Sequence, residues 1–166
     1  SATASATLLM GMAFIFADTG VLGFKELGLA LVHGQASMWF ALGAIMMVVA
    51  IAFKLSAAPF HSWVSDVYEG APAPVAAFLA SVSKVAMMAL AIRFLTTTMI
   101  TELNAFYGVL ILIIAASILL GNLLAIRQTN LKRLLAYSSV AHIGYVLVAL
   151  LSVGAGSAGV ISMYMA

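Results

Sequence analysis

Lys84 is the residue whose position most demands a chemical explanation. It stands in Ala80-Ser81-Val82-Ser83-Lys84-Val85-Ala86, about ten residues into a long apolar run. An amine there must be buried, snorkel, or face a hydrated path. Its stem is too short to snorkel comfortably from mid-membrane. A lysine that can lose and regain a proton in such a place is a candidate relay. Lys54 lies near the end of an earlier apolar run, five residues before Pro59. Snorkelling is nearly as natural for it, but Pro59 lacks an N–H and cannot continue a helical ladder. The chain is therefore expected to break at Ser56-Ala57-Ala58-Pro59 and resume beyond it. Broken membrane helices line cavities and often form ion sites, which favours a functional Lys54.

His142 is the third candidate. Histidine titrates near neutrality and suits proton transfer. Ser138, His142 and Tyr145 are spaced to share one helix face. A neutral histidine bonding a neighbouring helix fits the pattern equally well. His61, Asp66 and Glu69 fall between Pro59 and Pro72, in a segment that reads either as a proton mouth or as a solvated connection with ordinary caps. Asn122, Gln128 and Asn130 carry the same ambiguity. His33, His61 and His142 are too far apart in sequence for a local metal motif, and cysteine is absent. Neither a phosphate-binding loop, a dinucleotide-binding glycine fingerprint nor a hydrolase elbow is visible.

The elements that hold these residues must be membrane helices. Of 166 residues, 65% are hydrophobic and only 7% charged, with a mean hydropathy of +1.20. A soluble domain carries about 25% charged residues. The basic residues are few and scattered, which excludes a nucleic-acid footprint. A span needs about 20 mostly apolar residues, which predicts segments near 3–17, 38–58, 74–95, 105–126 and 131–152, and a sixth after Gly154, Gly156 and Gly159. Pro74 opens the third favourably. Residues 18–37 form a mixed loop with Lys25 and Glu26 on a short interfacial helix. Alternating loops put Lys25 and Arg93 on one side and Arg127, Lys132 and Arg133 on the other. By one residue, the second side is favoured as cytoplasmic. The chain starts at Ser1 and stops in an apolar run, so both ends read as cuts within a longer protein.

Two blocks carry a resemblance. One runs Phe53-Lys54-Leu55-Ser56-Ala57-Ala58-Pro59-Phe60-His61-Ser62-Trp63 and on through Asp66-Val67-Tyr68-Glu69-Gly70-Ala71-Pro72-Ala73-Pro74-Val75. The other runs from Gly121-Asn122 through Arg127-Gln128-Thr129-Asn130-Leu131-Lys132-Arg133 to Tyr137-Ser138-Ser139-Val140-Ala141-His142-Ile143-Gly144-Tyr145. Together they resemble the antiporter-like subunits of respiratory complex I, most of all subunit N.

The resemblance implies an all-α polytopic transmembrane bundle of inverted repeats with a proline-broken helix. Residues 1–166 would be a single transmembrane domain, an internal part of a larger one. Lys54 would match the lysine of the discontinuous helix, and Lys84 the lysine of the next helix, thirty residues on. His142 would match the polar residue between two half-channels, with Pro59, His61, Ser138 and Tyr145 in support. The glutamate that pairs with the first lysine would precede Ser1, and the terminal charged residue would follow Ala166. The implied activity is proton translocation coupled to quinone reduction, as a subunit of a proton-pumping NADH:quinone oxidoreductase. The chain itself would do no redox chemistry and hold no cofactor or metal. NADH, FMN, iron–sulfur clusters and quinone would belong to other subunits. Partners would be the other membrane subunits, the lipid bilayer and protons, in a multi-pass protein of the bacterial inner membrane or its organellar counterpart. A sodium/proton antiporter subunit shares both lysine motifs, and a non-conducting membrane scaffold is the reading from a different class.

Overall fold

The computed structural model describes residues 2–32, 37–98 and 104–151, with side chains omitted for 31, 32, 98 and 104–106. Eight helices follow one another: α1 (Ala2–Thr19), α2 (Phe24–Val32), α3 (Met38–Leu55), α4 (Ser62–Gly70), α5 (Ala73–Ala80), α6 (Val82–Thr98), α7 (Asn104–Ile126) and α8 (Leu131–Leu151). No strand occurs among the described residues. Five stretches are long and apolar enough to cross a membrane: Ala2–Thr19, Met38–Leu55, Ala73–Thr97, Tyr107–Ile126 and Leu131–Leu151. They match the first five expected segments. The expected sixth segment falls outside the described residues. Lys25 and Glu26 lie on α2 as anticipated, and α2 packs along α6.

α3 starts at a capped serine. Ser37 Oγ accepts the amide hydrogens of Trp39 and Phe40 at 3.0 and 3.5 Å, and donates to Asp18 at 2.6 Å. One serine thus satisfies two orphan helix donors and ties α3 to the end of α1. The helix ends where the sequence places its break. Ser56 takes the left-handed conformation, φ 62° and ψ 31°. Its amide bonds back to Phe53 O, and that of Ala57 to Ala52 O. A non-glycine residue here is strained, and Ser56 is wholly buried. The freed Ala58 N–H finds Ser117 Oγ on α7 at 2.9 Å. After Pro59 the chain resumes as α4.

The third span is less regular than its composition suggests. It consists of α5 and α6, which meet at Ser81. Ser81 Oγ donates to Ala77 O at 2.7 Å, a back-bond one turn down that bends helices. Lys84 follows one turn later. The core sits between α3, α6, α7 and α8, with Phe40, Met47, Leu55, Met88, Phe94 and Ile113 among its members. A smaller cluster of Val64, Tyr68, Ala136 and Val140 joins α4 to α8. Close glycine contacts lock two helix pairs. A Cβ at Gly11 would lie 2.7 Å from Gly43 O, and one at Gly121 2.6 Å from Ala141 N.

Candidate functional site

Lys84 is buried, with 5% of its surface exposed. Its Nζ donates to Ser139 Oγ on α8 at 2.7 Å and lies 5.8 Å from the centroid of the Tyr68 ring on α4. Three helices therefore build its surroundings. α6 supplies the amine, α8 the acceptor and α4 the aromatic face. Both salt bridges among the described residues belong to Arg133, so no described carboxylate pairs with Lys84. Ser139 Oγ in turn donates to Ala136 O at 2.7 Å.

Lys84, Ser139 and His142 line a common cavity of about 500 Å³. The structure thus brings together two residues that the sequence separates by more than fifty positions. His142 lies edge-on to Tyr145, ring centroids 6.0 Å apart. Tyr145 Oη accepts from Asn122 Nδ2 at 2.9 Å. The expected grouping of His142 with Tyr145 is present. Of the Ser138-Ser139 pair, the second residue reaches Lys84. Ser138 is half-buried.

Lys54 stands apart from this group. It is half-buried in the last turn of α3 and lines a second cavity of about 560 Å³ with Phe53, Trp63, Ser83 and Met87. Ser83 and Lys84, adjacent on α6, border different cavities, so α6 stands between the two amines. Trp63 stacks on Phe53 at 5.8 Å and donates from Nε1 to Phe53 O at 3.3 Å. It folds α4 against the end of α3 and adds a second donor to the carbonyl that the Ser56 amide also reaches. His61 lies edge-on to Tyr137, centroids 6.2 Å apart, and its Nδ1 is buried. Tyr137 Oη donates to Ser65 Oγ at 3.3 Å. Pro59 acts through the backbone, ending the ladder that would otherwise join α3 to α4.

The carboxylates of the 60–70 segment are engaged. Arg133 sits 2.7 Å from Asp66 and 3.3 Å from Glu69. Asn130 Nδ2 donates to Glu69 at 2.9 Å, and Lys132 Nζ to Ala71 O at 3.1 Å. The start of α8 thus clamps the end of α4. Gln128 bonds back to Leu124 O at 3.1 Å. Among the described residues no group of His, Asp and Glu could hold a metal.

Two residues of the Lys84 site escaped sequence reasoning, Ser139 and Tyr68. A Ser-Ser pair on one helix shows that a hydroxyl is present but not which faces inward. Tyr68 is hidden in a segment whose charges draw attention first. The buried face of α4, with Val64, Ser65 and Tyr68 at helical spacing, is the signal that would have found it.

Comparison with known proteins agrees with this architecture. The family model described as NADH:quinone oxidoreductase/Mrp antiporter, transmembrane, matches residues 1–166. NADH-quinone oxidoreductase subunit N of Psychrobacter arcticus is 61% identical over 166 residues, which is 100% of this chain and 34% of the relative. The chain therefore spans about a third of the length of the curated relatives it matches. Among solved structures, respiratory complex I from Thermus thermophilus with bound aureothin contains a chain with a TM-score of 0.80 and 34% identity, covering 99% of this chain and 35% of that one. The Mrp complex from Dietzia sp. gives a TM-score of 0.86 at 22% identity, covering 98% and 30%, a likeness of fold alone. Five apolar helices in this setting make a multi-pass protein of the bacterial inner membrane. Matched along its whole length, the chain belongs to the transmembrane family shared by NADH:quinone oxidoreductases and Mrp antiporters.

Proposed function

We propose that this chain is part of a proton-translocating membrane subunit of an NADH:quinone oxidoreductase, and that Lys84, Lys54 and His142 carry protons through it. The carrying observation is Lys84 itself, a buried amine midway along the third span, held by a hydroxyl in a cavity it shares with His142. A lysine at the centre of a span costs roughly 2.5–3.5 kcal/mol of insertion free energy, and a packing role would be served better by leucine. Lys54, at the helix break and on the other face of α6, supplies a second station. Redox chemistry and its cofactors belong to other subunits of the complex, which are this protein's partners. Quinone reduction there drives the displacement that moves the protons. The present residues are one portion of a larger membrane domain. Similarity to subunit N relatives over the whole chain supports this reading over a sodium/proton antiporter.

The test is Lys84→Ala in the full-length protein within its complex, in sealed membrane vesicles. Proton uptake and NADH-driven quinone reduction are measured together. Loss of proton uptake with the complex assembled is the expected result. Wild-type levels of both would make Lys84 a tolerated structural charge. In that case Lys84→Leu should stabilise the protein at no functional loss, as a scaffold would allow. Sodium-dependent transport without quinone activity would instead assign the antiporter reading.

A further inference from the structure

Ser139 cannot pass on a proton in the position it occupies. Its oxygen accepts from Lys84 Nζ at 2.7 Å, and its own hydrogen is committed to Ala136 O, also at 2.7 Å. A backbone carbonyl is an acceptor only and has no proton of its own to hand on. In this arrangement Ser139 holds the amine and blocks the exit through itself.

A second acceptor stands next to it. Tyr68 is buried, 5% exposed, with its ring under Lys84 Nζ. Its Oη is fully enclosed and has no hydrogen-bond partner. Ser139 is the hydroxyl beside it, since Ser139 Oγ holds the same Lys84 amine that lies over the Tyr68 ring. Buried hydroxyls are nearly always satisfied, and an exception calls for a reason. The phenol is donor and acceptor at once, which the Ala136 carbonyl is not.

We propose that Ser139 is a two-position hydroxyl switch for Lys84, with Tyr68 as its second position. The inference rests on the proton-carrying role given to Lys84 above. With Ser139 turned to Ala136, the Lys84 proton is retained. With Ser139 turned to Tyr68, a concerted shift becomes available. An N–H proton of the Lys84 ammonium moves to Ser139 Oγ, the Ser139 proton to Tyr68 Oη, and the phenolic proton to a water that must be admitted beside the enclosed Oη. One proton enters the chain of hydroxyls and one leaves. The amine is left neutral and both hydroxyls are restored. The switch needs only rotation about the Ser139 Cβ–Oγ bond, and α4 and α8 need not separate.

The experiment compares Tyr68→Phe, Ser139→Ala, Ser139→Thr and Lys84→Ala in the full-length protein within its assembled complex. The readings are the rate of proton uptake into vesicles and its ratio between water and deuterium oxide. Tyr68→Phe keeps the ring beneath the amine and deletes only the second position. Its proton uptake should fall to the level of Lys84→Ala, as should that of Ser139→Ala. Ser139→Thr keeps the hydroxyl and should retain uptake and the wild-type isotope ratio. If Tyr68→Phe translocates protons at the wild-type rate and isotope ratio while Lys84→Ala does not, the switch is overturned and the role of Lys84 survives. If Lys84→Ala is itself active, the underlying reading fails. Should Ser139→Ala not assemble, Tyr68→Phe and Ser139→Thr decide the matter between them.

Discussion

Ser117 on α7 lies with its Oγ 2.9 Å from the Ala58 amide, at the point where α3 gives way to α4. It also donates to Ile113 O at 2.7 Å, so a single buried hydroxyl accepts from the break and donates to its own helix. Ala58 and Ser117 are both fully buried. No water competes for that amide, and the geometry of the interruption beside Lys54 depends on a side chain 59 residues away in sequence.

Replacing Ser117 by alanine strands the Ala58 N–H. An unsatisfied buried donor costs about 1–3 kcal/mol. Ser117→Ala is expected to lower the melting temperature of the purified complex or subunit in detergent, and Ser117→Thr to restore most of it. An unchanged melting curve for Ser117→Ala would mean that the break is held by its own backbone bonds.

Gly43 carries the tightest contact between α1 and α3. An added Cβ would fall 2.6 Å from Gly11 O and 2.8 Å from Ile15 Cγ1. The first neighbour is backbone and cannot move aside without moving α1. Gly43→Val should destabilise by about 1–3 kcal/mol, the usual range for overpacking, and reduce the amount of assembled protein in membranes. Quantitative immunodetection of the assembled complex would measure it. Gly108 has nothing within reach of a new Cβ, so Gly108→Ala serves as the neutral control.

The Arg133 pairs make a smaller claim on stability. The side chains of Arg133 and Asp66 are 36% and 72% exposed, and pairs this open contribute about 0–1 kcal/mol. Arg133→Gln and Asp66→Asn should each shift melting slightly. A double-mutant cycle between them should give a coupling below about 1 kcal/mol. Proton uptake should remain near wild type in both. A large loss of uptake in Asp66→Asn with an intact complex would return the 60–70 segment to the role of proton mouth.

Much of this was legible in the sequence, and the parts that were share a physical cause. The five spans announce themselves because lipid tolerates no unpaired backbone and few charges. The break at Ser56–Pro59 was visible because proline removes a donor wherever it stands. The bend at Ser81 was not, since a serine in a helix bends it only if its hydroxyl turns back to the carbonyl four residues earlier, as Ser81 does to Ala77. Lys84 stood out by its charge, whereas the residues that hold it did not. Ser139 and Tyr68 are ordinary helix residues until α4, α6 and α8 converge. The engagement of Asp66 and Glu69 by Arg133 likewise depends on a contact between segments more than sixty residues apart. The division of the two amines between separate cavities also depends on where α6 runs.

The two glycine contacts distribute stiffness unevenly. α1 with α3, and α7 with α8, are held at backbone-to-backbone distance. α6 belongs to neither. It has no glycine of its own, rests on α2 and α3, and is bent where it meets α5. The buried amine therefore rides on a helix that neither glycine-packed pair includes.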